Sequence, residues 1–323
     1  MTERKKYQHY VPKFYLEGFQ NSSEKLWCYD KQLDKAYEGS AKRLGGEKFY
    51  YDVPDVEKDV GTLQFIENWF HPMERDASSA LTAWRDRLEN KRVFAPTEEE
   101  QHAMAVFMAV QSLRTPRARK EAEEAALLAA KISFFNYLGE THPEVARKLE
   151  NPLEDLQLSL NEERRAAVHA MMLLDLQLIE ELAVILCGHL WIVSENQTCN
   201  TFYTSDHPLV VVPHVKHPVR SMSGLRSPGV QVLLPLTPRH SLSLLERSYW
   251  QKLSEHDRKL IPFGLTKEHV DFENSHQVVE STRFVYSHDG DFSLAREMCR
   301  DHPRLRDPER PIMATRRLNT PRD

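Results

Sequence analysis

The chain has 323 residues, with 43 Lys and Arg against 48 Asp and Glu, and carries a formal net charge of −5. Its length predicts one large domain or two closely packed lobes, and its mild acidity argues against nucleic-acid binding through net charge. Because only 11 residues are glycine, about half of the usual ~7% share, we expect no phosphate or dinucleotide loop and no nucleotide or flavin cofactor.

Residues 1–60 are predicted to be rich in strands and loops. Two short β-rich runs, at 26–29 and 35–37, flank a polar turn and predict a hairpin within 25–38. The aromatic run at 49–51 follows a Gly-Gly pair and predicts a further short strand.

The middle of the chain, about 60–187, is predicted to be helical. Apolar residues recur at spacings of three and four over 63–88, which is the pattern of a long amphipathic helix, and Pro72 is expected to kink it. Another helix, rich in Leu, Met and Ile, is predicted over 161–186 and should lie close to the core.

Two further helix starts between these are marked by capping signals. Thr97 precedes Glu100 by three residues, which is the signature of a capping box, and the helix that follows should end near residue 113. Thr115 then places a capping hydroxyl before Pro116 at the first helical position, which predicts a third helix reaching residue 137.

Residues 188–290 are predicted to form a mostly antiparallel sheet, because β-rich runs follow one another without intervening helices. These runs lie at 190–193, 201–203, 209–212, 230–234 and 241–245. A short helix over 267–282 and a last strand over 284–287 complete this part. We therefore predict an α+β fold, in which an N-terminal hairpin and a bundle of long helices pack on the C-terminal sheet as one integrated domain over 1–300.

The last segment, 301–323, is rich in arginine and proline. Counted from residue 300, seven arginines against four carboxylates give it a charge of +3. We predict a solvated, extended tail, with an arm that binds nucleic acid as the alternative. No apolar stretch is long enough to span a membrane and no secretory signal follows the basic N-terminus, so we expect a cytoplasmic location and no membrane partner.

Two polar clusters near predicted strands are candidate functional residues. The sequence patterns of phosphate loops, nucleophile elbows, dinucleotide folds and zincins are absent. Gln8 and His9 precede an aromatic and apolar stretch, where a histidine serves as ligand, base or hydrogen-bonded filler. Ser205 and Asp206 lie at the predicted junction of two strands, where they either project into a site or close an ordinary turn.

Two more candidates lie on the predicted helices. Glu74 borders the apolar stripe of the first long helix, and a carboxylate at such a position is either paired with arginine or retained for chemistry. Gln111 and Arg114 share one face at the end of their helix, where Arg114 is the natural partner of a carboxylate or a phosphate. His214 and His217 form an H-x-x-H pattern, but without a nearby third ligand we interpret them as surface residues.

Taken in order, these residues resemble the domain of unknown function 4238 family, whose members are mostly bacterial. The resemblance runs from residue 7 to about 288 and includes the patterns Gln-His-x-x-Pro-x-x-x-Leu-x-x-Phe, Phe-Tyr, Gln-x-x-Arg-Thr-Pro, Thr-Ser-Asp-x-Pro and Pro-Leu-x-Pro. The matching residues here are Gln8, His9, Pro12, Leu16, Phe19, Phe49, Tyr50, Glu74, Gln111, Arg114, Thr115, Pro116, Thr204, Ser205, Asp206, Pro208, Pro235, Leu236, Pro238 and Asn274. His207 departs from the pattern, since the family commonly has Asn there.

The resemblance brings no established activity, but it implies that these scattered polar positions belong to one pattern. Gathered in space, they would supply the groups of a metal-assisted hydrolase, or nuclease, acting on nucleic-acid or nucleotide phosphodiesters. In that hypothesis Asp206, Glu74 and His9 hold a divalent cation, Mg or Mn, with His9 as ligand or general base. Arg114 then stabilises negative charge on the phosphate. The expected substrate-binding residues are Gln8, Tyr10, Gln111, Ser205 and Asn274.

The alternative is a non-catalytic module that binds or senses a small molecule or a protein. In that hypothesis the same side chains satisfy one another in a buried polar network, which fixes the long helices to the sheet and performs no chemistry.

Overall fold

The computed structural model describes residues 5–149, 152–217, 221–261 and 265–312. The helices are α1 (Lys13–Leu16), α2 (Pro54–Val60), α3 (Phe65–Asp86), α4 (Glu98–Leu113), α5 (Pro116–Thr141), α6 (Pro143–Ala146), α7 (Pro152–Asp155), α8 (Glu162–Leu173), α9 (Leu176–Cys187), α10 (Lys267–Glu280) and α11 (Ser293–Asp301). The strands are β1 (Tyr7–His9), β2 (Leu26–Asp30), β3 (Lys35–Gly39), β4 (Gly46–Lys48), β5 (Leu190–Glu195), β6 (Thr204–Ser205), β7 (Val210–Pro213), β8 (Val230–Pro235), β9 (His240–Leu245), β10 (Lys259–Ile261) and β11 (Phe284–Ser287). The fold is α+β, as predicted.

The larger sheet has five strands in the order β10-β5-β9-β8-β7. Its pairs are antiparallel except for β10 and β5, which run parallel. Strand β9 is buried along its whole length, because the sheet is covered on both faces. Leu244 packs into the main core with the helices, whereas Leu245 packs on the other side with Trp250 and Leu253.

A second sheet corrects the prediction of a single C-terminal sheet. The N-terminal hairpin of β2 and β3 is confirmed, and it continues through β11 to β6, in the order β3-β2-β11-β6. Val285 of β11 is paired with Tyr29 on one side and Ser205 on the other. The strand predicted at 201–203 is displaced to 204–205, since its register is set by pairing with β11 and not by local composition.

Other local predictions are confirmed or corrected by capping and turn geometry. The capping box of Thr97 and Glu100 is present at the start of α4. The helix predicted over 161–186 is interrupted, because Asp175 caps a new start at α9 through its contact with the N–H of Leu178 (3.0 Å). The strand predicted at 49–51 is a turn with Phe49 at φ +57°, and the strand lies earlier, at β4.

One cluster of buried apolar side chains joins the N-terminal segment, the helices and the larger sheet. Tyr15 from α1, Phe107 from α4 and Leu186 from α9 all belong to it. Trp84 of α3 meets Trp191 of β5 edge to face, with ring centroids 5.9 Å apart. The packing joins these three parts of the chain, and the single integrated domain over 1–300 stays a prediction. None of the helices in the described ranges is long and apolar enough to cross a membrane.

Residues 301–312, here called the C-terminal strap, are docked on the fold. The strap contains a 3₁₀ helix at Pro303–Arg306. Beyond it, the Arg310 guanidinium donates to the carbonyls of Val279 (2.8 Å) and Ser281 (2.6 Å) at the end of α10. The prediction of a solvated tail is therefore wrong for these residues, because Arg310 supplies donors to carbonyls at the end of α10 that have no partner within the helix itself. The predicted tail also includes residues 313–323, which lie outside the described residues.

A buried histidine on α8 makes the stability of this fold sensitive to acid. His169 is 2% exposed, its Nε2 lies 2.9 Å from the carbonyl oxygen of Leu113, and burial lowers its pKa to about 3. Between this pKa and the ordinary histidine pKa of ~6.5, the unfolded chain therefore binds more protons than the native state. The free energy of unfolding falls as the pH is lowered through that window.

We expect His169→Gln, whose amide is able to donate to the same carbonyl, to reduce this pH dependence. Urea unfolding of both proteins at about pH 7 and about pH 4.5 measures it. The same loss of stability on acidification in variant and wild type would contradict the assignment.

Candidate functional site

Gln111 and Arg114 at the end of α4 hold the backbone of the N-terminal segment. Both side chains donate to the carbonyl oxygen of Tyr10, from Gln111 Nε2 (2.9 Å) and Arg114 Nε (3.1 Å). Arg114 Nε also lies 2.9 Å from Gln111 Oε1. Both residues are fully buried. Their pairing with Tyr10 therefore fixes where the segment after β1 meets the helices.

Arg114 is paired with Glu74, which accepts from its Nη1 at 2.9 Å. The guanidinium also lies over the ring of Phe70, 5.1 Å from its centroid. Among the described residues its Nη2 has no hydrogen-bond partner. Of the two interpretations for Glu74, pairing with arginine is the one that the structure adopts.

Gln8 and His9 contact the loops that surround β1. Gln8 donates from Nε2 to Asp52 Oδ1 (2.7 Å) and accepts from the N–H of Tyr51 (2.6 Å), which fastens β1 to the turn after β4. His9 Nε2 lies 3.2 Å from the carbonyl oxygen of Ala41. Burial lowers the pKa of His9, so the neutral imidazole is favoured there.

Asp206 is a buried carboxylate that organises the start of β11. Its oxygens accept from the backbone N–H groups of Thr282, Arg283 and Phe284, each at 2.7 Å. Burial raises the pKa of Asp206, while Lys31 and these three N–H groups oppose the rise. The side chain therefore anchors three consecutive residues of a strand start.

Ser205 and Asn274 connect the strand β6 region to α10. Ser205 Oγ donates to Gln277 Oε1 (2.7 Å). Asn274 accepts from the N–H of Tyr203 (2.7 Å) and donates to the carbonyl of Thr201 (2.9 Å). Both of these expected substrate-binding residues therefore make contacts that hold α10 against the second sheet.

His207 is also buried in this region. Its Nδ1 lies 2.6 Å from Oγ1 of Thr115, the cap of α5. Burial lowers the pKa of His207 to about 3. The contact joins the Thr-Ser-Asp segment to the start of α5. The H-x-x-H residues His214 and His217 are exposed, as predicted.

The expected metal ligands are not gathered into one group. Among the described residues, no set of three or more His, Cys, Asp and Glu side chains is placed to hold a metal ion. His9, Glu74 and Asp206 therefore do not form the predicted ligand set. The physical reason is that each has separate partners, namely the Ala41 carbonyl, the Arg114 guanidinium and a row of backbone N–H groups.

The predicted motifs do meet around a cavity of about 310 Å³, here called the motif cavity. Tyr10, Tyr50, Pro116 and Asp206, each from a different motif, contribute to its lining. Phe284 and the strap residues Pro308 and Glu309 line it as well. Its volume lies at the lower end of the usual range for small-molecule sites.

Two residues that line the motif cavity have a buried hydroxyl group without a hydrogen-bond partner among the described residues, and each of these oxygens has less than 1 Å² exposed. They are Oη of Tyr50, a residue that is only 6% exposed, and Oγ1 of Thr282. Burial holds the pKa of Tyr50 well above its ordinary value, so this hydroxyl stays protonated. Tyr50 lies in the Phe-Tyr motif, but no sequence signal distinguishes Thr282 from an ordinary loop residue.

The charged groups that line the motif cavity are largely paired. Four cations, Arg119, Lys120, Arg165 and Arg283, face five carboxylates, Glu47, Glu123, Glu162, Asp206 and Glu309, so the lining carries a net charge of −1. The ion pairs are Arg119 with Glu162 (2.7 Å), Lys120 with Glu309 (3.0 Å), Arg165 with Glu123 (2.8 Å) and Arg283 with Asp30 (2.6 Å). Each cation therefore already has a carboxylate partner.

These observations define an α+β protein whose dispersed sequence motifs form the walls of one small cavity. The chain belongs to the family described as "Protein of unknown function (DUF4238)", whose model matches residues 7–291. Neither a curated protein nor a solved structure gives a significant match to the chain. The C-terminal strap, which lines part of the cavity, lies beyond the matched residues.

Replacing the buried carboxylate tests its anchoring role. Asp206→Asn leaves one acceptor oxygen and turns an amide N–H₂ towards backbone donors, so we expect a loss of about 1–3 kcal/mol in the free energy of unfolding. Urea unfolding of both proteins measures it. The matched control is Asp76→Asn on the exposed surface of α3, which should stay within about 0.5 kcal/mol of wild type. A variant at 206 as stable as that control would contradict the anchoring role.

Proposed function

We propose that this protein binds a small molecule in the motif cavity. The observation that carries the proposal is the cavity itself, of about 310 Å³, whose lining combines Tyr10, Tyr50 and Asp206 from separate sequence motifs. Two of its lining residues, Tyr50 and Thr282, also carry buried hydroxyl groups with no partner among the described residues, and such a group costs about 1–3 kcal/mol.

Tyr15, next to the second sheet, is a buried tyrosine whose hydroxyl group has hydrogen-bond partners, and it serves as a comparison for Tyr50. Tyr15 Oη donates to the carbonyl of Pro235 (2.6 Å) and lies 3.0 Å from Thr204 Oγ1. Tyr15 and Tyr50 are both almost completely buried, yet of the two only Tyr15 has a hydroxyl that is paired within the described part of the chain. The unpaired hydroxyl therefore belongs to the tyrosine that lines the cavity.

The contacts of the motif residues support the same proposal. Gln111 and Arg114 fix the backbone of Tyr10, and Asp206 fixes the backbone of Thr282. Each of these contacts positions a residue that lines the cavity. The buried polar network is therefore interpreted as the support of a binding site, as in the non-catalytic alternative of the sequence analysis.

The metal-assisted hydrolase stays a prediction, as do its Mg or Mn ion, its nucleic-acid or nucleotide substrate and the cytoplasmic location. Asp206 favours it, because a carboxylate whose pKa is raised lines a cavity. Arg114 disfavours it, because this arginine is paired with Glu74 and is not among the residues that line the motif cavity.

An activity panel on DNA, RNA and nucleotides separates the two functions. If the protein only binds, we expect no cleavage with Mg²⁺ or Mn²⁺ above an EDTA-treated sample. Cleavage that requires the metal and is lost in Glu74→Gln, while this variant keeps the wild-type unfolding transition, would favour the hydrolase.

Removing an unpaired hydroxyl should stabilise the ligand-free protein. We expect Tyr50→Phe to raise the free energy of unfolding by about 1–3 kcal/mol, since it deletes a buried group without a partner. The matched control, Tyr15→Phe, should instead lower it by about 0.5–1.5 kcal/mol, because that hydroxyl makes hydrogen bonds. Urea unfolding measures both, and destabilisation by Tyr50→Phe would show that its hydroxyl is paired in the free protein.

A ligand-observed NMR screen of polar small molecules against the full chain tests the binding itself. We expect compounds that bind wild type to lose at least about tenfold in affinity with Pro308→Trp, whose larger side chain occupies part of the cavity. The matched control is Pro303→Trp, in the same strap but not among the lining residues. Absence of binding by every compound, or equal binding by both variants, would reject the proposed function.

A further inference from the structure

We propose that the groove between α3 and α4 is a docking site for a cationic amphipathic helix of another protein. This groove, here called the helix groove, lies between residues 73–80 of α3 and 98–106 of α4 and has a volume of about 820 Å³. Its lining and that of the motif cavity have no residue in common. The docking site is therefore a second surface, independent of the proposed function.

The helix groove has the shape that a third helix fills. Trp84 of α3 donates to Glu100 near the start of α4 (3.1 Å). Glu74, earlier on α3, meets Arg114 at the C-cap of α4 (2.9 Å), so the two helices run antiparallel. An amphipathic helix binds a groove of this kind through apolar residues at i, i+3, i+4 and i+7. The lined part of α3 covers about two turns, or ~10 Å, which matches that spacing.

The uncharged part of the lining is largely apolar. Two side chains from α3, seven residues apart, and two from α4, three residues apart, contribute to it, namely Met73, Ala80, Ala103 and Val106. Each pair lies on one face of its helix. Met73 and Val106 are half-buried and pack against the main core. The thioether of Met73 is flexible and adapts to a partner's shape, so this lining suits the apolar face of a docked helix.

The charged side chains around the apolar lining all have the same sign. The lining contains four carboxylates and, within the described ranges, no lysine or arginine, which gives it a net charge of −4. The carboxylates are Asp76, Glu98, Glu99 and Glu100. A partner that carries lysine or arginine beside its apolar face complements this charge, whereas an acidic partner is repelled.

The carboxylates differ in how far they are already engaged. Glu100 contacts Arg87 and the indole of Trp84. Asp76 is paired with Arg75 (3.2 Å), but both side chains are more than half exposed, so this pair contributes little. Glu98 and Glu99 are exposed, and neither forms an ion pair with a described residue. At least these two carboxylates are therefore open to the cations of a partner.

The position of the glutamates at the start of α4 accounts for only part of this pattern. Carboxylates in the first turn stabilise a helix by themselves. This effect does not explain Asp76, which comes from α3, or the apolar surface that lies between the charges. A cationic amphipathic helix accounts for both features, because its apolar face covers that surface and its flanks meet carboxylates from both helices.

The test is the binding of a designed peptide to the full chain, measured by fluorescence anisotropy. The probe is a helix of about four turns with leucine at i, i+4, i+7 and i+11 and lysine on both flanks. We expect it to bind at least about tenfold more tightly than a scrambled peptide of the same composition, and than a version with glutamate in place of lysine. Absence of binding by the probe, or equal binding by either control peptide, would overturn the proposal.

Charge reversal at the start of α4 tests the electrostatic part. We expect Glu99→Lys to weaken binding of the probe at least about threefold, with the largest loss at low salt. The matched control is Glu268→Lys, because Glu268 is also the exposed second residue of a helix whose N-cap is a threonine, and it does not line the helix groove. Equal losses in both variants would contradict the role of the groove carboxylates.

A substitution in the apolar lining tests the position of the site. Ala103→Arg places a long cationic side chain in the helix groove, so we expect at least about tenfold weaker binding of the probe. The control Ala125→Arg, at an exposed position of α5, should bind like wild type. Both variants should keep the wild-type urea unfolding transition. Light scattering identifies the competing occupant, since a dimer that Ala103→Arg dissociates would show that a second copy of this chain fills the groove and would overturn the proposal.

Discussion

The buried carboxylate of Asp206 is the contact on which both the second sheet and the motif cavity depend. Its three hydrogen bonds hold residues 282–284 at the point where β11 begins. Strand β11 then pairs with the N-terminal hairpin on one side and with β6 on the other. A carboxylate withdrawn from water needs such donors to remain stable. The same donors bring Thr282 and Phe284 to the wall of the cavity.

The other motif residues use the same physical device, a buried polar side chain that binds backbone of a distant segment. Gln111 and Arg114 contact Tyr10 from about a hundred residues away, and Asn274 contacts the chain before β6. Buried amides and charges require specific partners, so each one permits few arrangements of its neighbours. A pattern that resembles a set of catalytic groups thus also serves to assemble the walls of a cavity.

Local signals predicted the elements that local physics controls. The capping box of Thr97 and Glu100, the Thr115-Pro116 helix start and the hairpin before residue 40 were all confirmed. The break before α9 was missed because, in the sequence, an aspartate that caps a helix start cannot be distinguished from a polar residue on a helix face, and Asp175 fits both. The position of β6 and the pairing of β11 with both β2 and β6 were missed. Strand pairing joins residues that are far apart in sequence, and local composition does not predict which strands pair.

The sequence by itself determined the family, the α+β class, most helix boundaries and the polar residues around which the chain is organised. Helix starts depend on side chains three or four residues apart, so a single stretch of sequence contains the necessary information. Only the tertiary structure decided that Arg114 is paired with Glu74, that Asp206 binds backbone, and that the hydroxyls of Tyr50 and Thr282 have no partner among the described residues. The pairing of a buried polar group depends on every segment that surrounds it, and here those segments come from opposite ends of the chain.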